Sequence, residues 1–113
     1  MPIVIKKLFT IFLPLTDNNG AVFPESIFEQ VGNELVRKFG GATRMKPVSQ
    51  SAYLGQWFEP ISGVAYTDEI IVVLVLTDPS SDTDEFFIQM KEDLKHLFRQ
   101  LDILIMAHTV EVF

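Results

Sequence analysis

Two histidines are the residues of this chain whose side chains exchange protons most readily near neutral pH. His96 follows Glu92 by four residues in a segment with helical spacing, which predicts a solvent-exposed pair on a helix surface. His108 alternates with Met106 and Val110, so a strand there would place its imidazole in an apolar layer. We interpret His108 as a buried neutral histidine held by one hydrogen bond, and a catalytic base or ligand is the alternative.

The aromatic segment YLGQWFEPISGVAYTDEI, residues 53–70, holds the single Trp and both Tyr residues of the chain. It is interrupted by the turn-forming residues Gly55, Pro60 and Gly63. We predict a long, bulged hairpin that bends at these three positions. Its aromatic residues are predicted to bind a ligand or to form an interface: Tyr53, Trp57 and Tyr66. Trp57 is interpreted first as an anchor against the helix layer or a neighbouring subunit.

Glu69 and Arg44 are candidate charged members of the same site. Glu69 begins the most apolar segment of the chain, where an acid needs either the rim or a cation. Arg44, on the preceding predicted strand, is the candidate cation. The two would form an edge ion pair worth at most about 1 kcal/mol, or the polar end of a pocket with walls from Trp57 and Tyr66.

Sequence signatures of common enzyme classes are absent from the chain. There is no G-x-S-x-G, no Walker loop, no G-x-G-x-x-G after a strand, and no Cys. With two His residues and no recognisable ligand spacing, neither a metal nor a cofactor is predicted. Asp78, Asp82 and Asp84 are typical of a helix start and lack the spacing of a calcium loop. If the protein is an enzyme, His108 and Tyr66 are the candidate catalytic residues.

Composition and charge limit the partners. The 113 residues fit one domain, 1–113. A net charge of −6 and a pI near 4.7 disfavour nucleic acid and anionic membrane surfaces. No apolar run is long enough to span a bilayer, and lysines interrupt the N-terminal apolar segment, so we expect neither a membrane span nor a signal peptide. A cytoplasmic location is the resulting prediction.

Hydrophobic spacing predicts the order βαββαβ. The predicted strands cover 6–15, 42–48, 67–78 and 101–113, and the third has a continuously apolar stretch from Ile70 to Leu76. Such a stretch is typical of a strand buried on both faces. The first helix is predicted to begin at Pro24 and to stop at Gly40. Gly32, in its middle, would be explained by a close approach to a strand.

The second helix is predicted to start after a capping residue. Asp82 is the candidate N-cap, because Glu85 follows three residues later as in a capping box. An apolar stripe through Phe87, Met90 and Leu94 extends this helix to about Gln100.

These elements predict a ferredoxin-like α+β sandwich, with a four-stranded antiparallel sheet and both helices on one face. The strands carry apolar residues at both odd and even positions, so the face without helices is apolar too. Each such side chain gains roughly 1.5–3 kcal/mol on burial, and the patch exceeds what is usual for a monomer. We therefore predict a homo-oligomer, a dimer or a trimer, that covers the open sheet face.

Several sequence pieces resemble known families. The strand LFTIFLPL, the helix exit FGGAT at 39–43, the triplet Gly55-Gln56-Trp57 and the segment DEIIVV together resemble a large family of small uncharacterised bacterial proteins. That resemblance spans nearly the whole chain and implies the ferredoxin-like fold without an established activity. The stretch SAYLGQWF, followed by an acid and a long apolar strand, resembles the hairpin of the CutA-type trimeric proteins, which are related to the PII-like signalling proteins.

Two functional hypotheses follow. The first is a non-catalytic oligomeric module, regulatory in role, that binds a small molecule or a protein partner. The second is a small enzyme of the dimeric α/β-barrel type, whose open sheet face forms a pocket for proton transfer or cofactor-free oxygen chemistry by His108, Tyr66 or Arg44. Large Phe, Leu and Met side chains on the sheet favour the first hypothesis, because they would fill such a pocket.

Overall fold

The described residues form five strands and two helices, with three successive strands between the helices. The computed structural model describes residues 2–45, 53–59 and 64–113, and for residues 53–59 and 64–68 it describes the backbone alone. The elements are β1 (Val4–Pro14), α1 (Glu25–Phe39), β2 (Thr43–Met45), β3 (Tyr53–Glu59), β4 (Val64–Thr77), α2 (Ser81–Leu97) and β5 (Ile105–Val112). Neither helix in this described part is long and apolar enough to cross a membrane.

The centre of the sheet is the antiparallel pair β1 and β4. Lys7 pairs with Thr77 at one end of this ladder and Pro14 with Ile70 at the other. On its second edge, β1 pairs with β5, also antiparallel, from Val4 with Val112 to Ile11 with Ile105. The most apolar segment of the sequence is therefore a central strand, as its composition predicted.

Two strands share the remaining edge of β4. Ile70 of β4 pairs with Pro14 on one edge and with Tyr53 on the other, so β3 lies on the same edge of β4 as β2. We call each row of paired strand across the sheet a lane, and β2 and β3 form one lane together. Met45 pairs with Val72 and Tyr53 with Ile70, so the two strands occupy successive positions along the same edge of β4. The sheet has four antiparallel lanes in the order β2/β3, β4, β1, β5. This arrangement is ferredoxin-like, and the predicted fold is confirmed.

Local signals define both ends of α1. Pro24 is the residue before the helix and has an extended conformation. Its φ of −60°, which the ring fixes, also suits a chain that enters a helix. Gly40 ends it with φ of 87°, a left-handed conformation that favours glycine, and donates its N–H to the Val36 carbonyl at 2.8 Å. The predicted helix stop at Gly40 is correct, and α1 starts one residue after Pro24.

The N-cap of α2 differs from the prediction. Ser80 is the capping residue, and its Oγ accepts a hydrogen bond from the Thr83 N–H at 3.1 Å. Asp82 was the wrong candidate, since it lies inside the first turn, whereas a capping residue needs the extended backbone that Ser80 adopts. The helix ends at Leu97, and β5 begins only at Ile105, four residues later than predicted.

The core lies between the two helices and one face of the sheet, which we call the helix side. Ile11 and Leu13 of β1 are fully buried there, beside Val73 and Val75 of β4. Phe9 stacks on Phe87 of α2 with ring centroids 3.8 Å apart. The other fully or nearly buried apolar members are Phe28, Val31, Leu35, Ile71, Met90, Leu94, Phe98 and Ile103. Every sheet residue between 70 and 77 in this core has an odd number, as strand alternation requires.

Candidate functional site

The opposite face of the sheet, which we call the open face, carries the even-numbered residues of β1, β4 and β5 and the odd-numbered residues of β2 that pair with them. The register brings them together from four lanes. They are Val4, Lys6, Leu8, Thr10, Phe12 and Pro14 of β1, Thr43 and Met45 of β2, Ile70, Val72, Leu74 and Leu76 of β4, and Met106, His108, Val110 and Val112 of β5. Among the described residues, both helices pack on the helix side, so no helix covers the open face.

Large apolar side chains on the open face remain accessible to solvent. Val4, Leu76 and Met106 are 46%, 43% and 48% exposed. Leu8 and Phe12 of β1 are half-buried on the open face, whereas the adjacent residues Phe9 and Ile11 are almost fully buried on the helix side. The predicted two-sided apolar sheet is therefore present, and the folded chain covers one of its two sides.

The open face has little net charge. Lys6 forms an ion pair of 2.5 Å with Asp78 at the end of β4, so these two charges offset each other. His108 is the other titratable group at the described open-face positions of the four strands. It alternates with Met106 and Val110, as predicted, and its strand partner is Leu8. The predicted burial of His108 is wrong for the single chain: the residue is exposed, because no helix of the described residues covers the face on which it lies.

The aromatic segment forms an arm that extends beyond the sheet. β4 pairs with β1 only from Ile70 onward, so Val64 to Glu69 have β3 as their partner. Trp57 pairs with Tyr66, and Tyr53 pairs with Ile70. At about 3.4 Å per residue, the arm is roughly 20 Å long. The hairpin prediction is correct here, but the register is unbroken from Tyr53 to Glu59, so no bulge occurs at Gly55; Pro60 and Gly63 lie outside the described residues.

Strand alternation divides the five predicted ligand or interface residues between two sets of register positions. Tyr53, Trp57 and Tyr66 occupy positions equivalent to those of the open-face residues. Arg44 and Glu69 occupy positions equivalent to those of the helix-side residues, since Arg44 pairs with Val73. The sequence could not reveal this division, because it depends on the registers of β2 and β3 against β4.

The predicted ion pair between Arg44 and Glu69 is replaced by another. Arg44 pairs with Glu25 at the start of α1, and its guanidinium lies 5.9 Å from the ring centroid of Phe28. Glu69 lies four residues from Val73 along β4, about 13 Å away along the strand. Its side chain is exposed, and its carbonyl accepts the Leu15 N–H at 2.9 Å. Arg44 therefore ties β2 to α1, and it cannot line a pocket on the open face.

A shallow groove lies between α1 and β2. Its volume is about 230 Å³, and it runs along Phe28, Gly32, Val36 and Arg44. A Cβ built on Gly32 would meet nothing within 4 Å. The close approach to a strand that was predicted for Gly32 is therefore wrong, and the glycine instead leaves the groove wider.

The remaining polar candidates lie on the surface of α2 and near its start. Glu92 pairs with Lys95 at 3.3 Å, whereas His96, predicted to pair with Glu92, is exposed in the last turn of the helix. Lys7 of β1 reaches Asp84 at 2.8 Å, so an acid in the first turn of α2 helps to tie the helix to the sheet. Within residues 2–45, 53–59 and 64–113, no three His, Asp or Glu side chains are grouped as metal ligands.

Two solved structures are similar to this chain over most of their length. The first is a phage SAM lyase in complex with S-methyl-5′-thioadenosine, at a TM-score of 0.66 and 12% identity, covering 95% of this chain and 88% of that one. The second is the divalent cation tolerance protein CutA1 from Thermus thermophilus, at a TM-score of 0.59 and 17% identity, covering 91% and 82%.

Comparisons by sequence give no relatives. No family model matches the chain, and no curated protein matches it. The likeness to the two solved structures therefore establishes the fold and no activity. The resemblance of the hairpin segment to CutA-type proteins is confirmed at that level: the chain has the ferredoxin-like architecture that CutA1 also has.

Proposed function

We propose that this protein is a homo-oligomeric, non-catalytic binding module, and that a second copy of the chain covers its open face. The observation that carries the proposal is the accessible apolar surface on that face, including Met106 at 48% and Leu76 at 43% exposure. Oligomer interfaces have an apolar, desolvated centre of this kind. The oligomer is a dimer or a trimer, since sheets that meet face to face or around an inner wall both cover the surface.

The size of the open face suits such an interface. Eight residues on each of β1, β4 and β5 and the three residues of β2, at about 4.8 Å between strands and about 3.4 Å per residue, give roughly 440 Å² in projection. The arm formed by β3 and Val64–Glu69 adds about 200 Å² by the same spacings. The total of roughly 640 Å² is somewhat below the ~800 Å² that each partner contributes to a standard interface, and it lies at the upper end of the roughly 300–600 Å² patch found on an ordinary monomer.

The charge distribution favours a second copy over a charged partner. Eight of the 15 acidic residues lie in α1 and α2, on the far side of the sheet. On the open face, Lys6 and Asp78 offset each other. Two chains of net charge −6 can therefore meet through β1, β5 and residues 70–76 of β4 without placing the acids of their helices against one another, whereas Glu59 and Asp68 occupy open-face register positions on the arm.

Ligand binding is assigned to the arm. Trp57 and Tyr66 are register partners there, and Tyr53 is the partner of Ile70 where the arm meets the sheet. These positions share the parity of the open face, so a neighbouring subunit on that face would lie beside them. A small molecule or a protein segment would then be held between the arm and the neighbouring subunit, in keeping with a regulatory role.

The oligomer is tested by light scattering on the purified protein at micromolar concentration. We expect a mass of at least twice the 12.8 kDa of one chain. The mass of a single chain would overturn the proposal, since the open face would then remain exposed to water.

Small-molecule binding has a separate test. The phage SAM lyase was solved with S-methyl-5′-thioadenosine, so this nucleoside is a rational first probe in calorimetric titration. Binding that is lost in Trp57→Ala, in a variant that still assembles, would support the arm as the ligand site. Binding that is unchanged in that variant would place the ligand elsewhere.

A further inference from the structure

We propose that a second copy of this chain packs on the β1–β5 half of the open face, where it buries His108 in the neutral form, so that acid dissociates the assembly. This inference rests on the proposed self-association through the open face. It adds which half of the face is the centre of the interface, and what controls the assembly.

The two halves of the open face differ in exposure at their middle positions, although Leu76 near the end of β4 is 43% exposed. On the β4 side, Val72 is only 6% exposed, although it is not part of the helix-side core. On the β5 side, Met106 is 48% exposed and His108 is also exposed. Burial by a neighbour therefore changes the solvation of β5 more than that of the middle of β4, and the interface centre is expected at β1 and β5.

The surroundings of His108 contain no described carboxylate that could stabilise its charged form. Its strand partner is Leu8, and its neighbours along the same face of β5 are Met106 and Val110. Lys6 and Thr10 lie diagonally across β1, about 7–8 Å away by usual sheet geometry. Lys6 is paired with Asp78, so these two groups add little net charge beside the imidazole.

The remaining charged group on β5 lies on the other side of the sheet. Glu111 is three residues from His108, so it occupies the opposite parity, and it pairs with Ile5. The residues of the two helices pack on the helix side. Within the described chain, His108 therefore faces apolar groups, one hydroxyl and one paired cation, and a second copy would add a further apolar surface to these.

The sign of the pH effect follows from burial. A histidine that is neutral in the assembly and free to protonate in the monomer binds more protons in the monomer, so its contribution to assembly is present at high pH and lost as pH falls. A dimer that buries two such imidazoles and excludes their charged form is expected to lose affinity by about 100-fold between pH 8 and pH 5.5.

The general charge of the protein predicts the opposite trend. The chain has a net charge of −6 at pH 7 and a pI near 4.7, so mutual repulsion between copies decreases as the pH falls. Net charge alone therefore predicts tighter association in acid. Dissociation between pH 8 and pH 5.5 would thus identify a specific group that must lose its proton for assembly. Histidine is the side chain that usually changes charge in this pH range, and the chain has two, His96 and His108.

The experiment is sedimentation velocity over a range of concentrations at pH 8 and at pH 5.5, on the full chain and two variants. His108→Leu keeps the apolar character of the face and removes the titration. His96→Asn is the matched control, because His96 is the other histidine and is exposed on α2. We expect the dissociation constant of the wild type and of His96→Asn to rise about 100-fold at pH 5.5, and that of His108→Leu to change less than about threefold.

The outcomes distinguish this inference from the proposed function. An oligomer with equal affinity at both pH values, or a His108→Leu variant that weakens in acid as much as the wild type, would overturn the role of His108 and leave self-association standing. A wild type that is monomeric at pH 8 would overturn the proposed self-association itself, and the inference with it.

Discussion

The two faces of the sheet are built from the same strands, yet within the described residues the helices cover only one of them. On β1, Ile11 and Leu13 are fully buried under the helices, while Leu8 and Phe12 on the open face are half-buried. On β5, Met106 is 48% exposed. Apolar composition alone thus does not report which face is covered. The difference shows that one face is stabilised within the chain, and it is the basis of the proposal that a surface from outside the chain covers the other.

The two faces of the sheet also differ in charge. The helix side is enclosed by α1 and α2, which together carry eight of the 15 acidic residues. The open face has one internally paired Lys6 and one histidine. A surface that is apolar and nearly neutral on an acidic protein is suited to contact with another copy, since it brings no repulsion of its own.

The largest expected effect on stability comes from replacing a leucine with alanine, and the two faces should differ in their response. Leu13→Ala removes a side chain that is fully buried on the helix side, and Leu76→Ala removes one that is 43% exposed on the open face. We expect the free energy of unfolding to fall by about 3–4 kcal/mol for the first and by less than about 1 kcal/mol for the second. Urea unfolding at concentrations below assembly measures both. Equal losses would mean that Leu76 is also a core residue of the single chain.

A charge on the open face should break the assembly without unfolding the chain. Met106→Lys places an ammonium group in the interface, where its desolvation has to be overcome, and we expect at least a 100-fold weaker association, or about 2.7 kcal/mol. Ile88→Lys is the matched control, because Ile88 is 69% exposed on α2. Sedimentation and circular dichroism check mass and folding. Similar losses for both variants would contradict a role specific to the open face.

The arm is expected to contribute less than the centre of the face. Trp57→Ala should weaken association by about 2 kcal/mol, the cost typical of truncating a tryptophan that anchors an interface. Phe113→Ala, which removes another aromatic ring that is 85% exposed at the chain end, is expected to have little effect on assembly. Intact association in Trp57→Ala would shift the role of Trp57 from subunit contact toward ligand binding.

The smallest effect concerns the helix side. Gly32→Ala is expected to stabilise the chain by about 0.5–1 kcal/mol, because alanine favours a helix and a Cβ at this position meets nothing within 4 Å. Thermal unfolding measures the change. A loss of association in this variant would mean that a partner contacts the groove beside α1, and the helix side would no longer be the internally complete one.

Much of the fold was predictable because its signals are local. The glycine stop at Gly40, the apolar spacing of both helices and the continuous apolar run of β4 each predict an element without knowledge of its neighbours. Element boundaries were less accurate. Ser80 caps α2 in place of Asp82, because capping depends on backbone conformation, and several residues near this helix start have suitable side chains.

The candidate site was less predictable because it depends on register. Arg44 was expected beside Glu69, but pairing with Val73 brings it to the helix side, within reach of Glu25. His108 was placed correctly by alternation on its strand, while its exposure depends on what covers the sheet. The ion pair of Lys6 was not predicted, because its partner, Asp78, is 72 positions away in the sequence.

The central claim is that a second copy covers the open face, and the mass in solution tests it most directly. Multi-angle light scattering of the wild type at micromolar concentration and pH 8 is predicted to give two or three times the 12.8 kDa of the chain. The mass of a single chain under these conditions would contradict the account, because Met106, Leu76 and Val4 would then remain in contact with water.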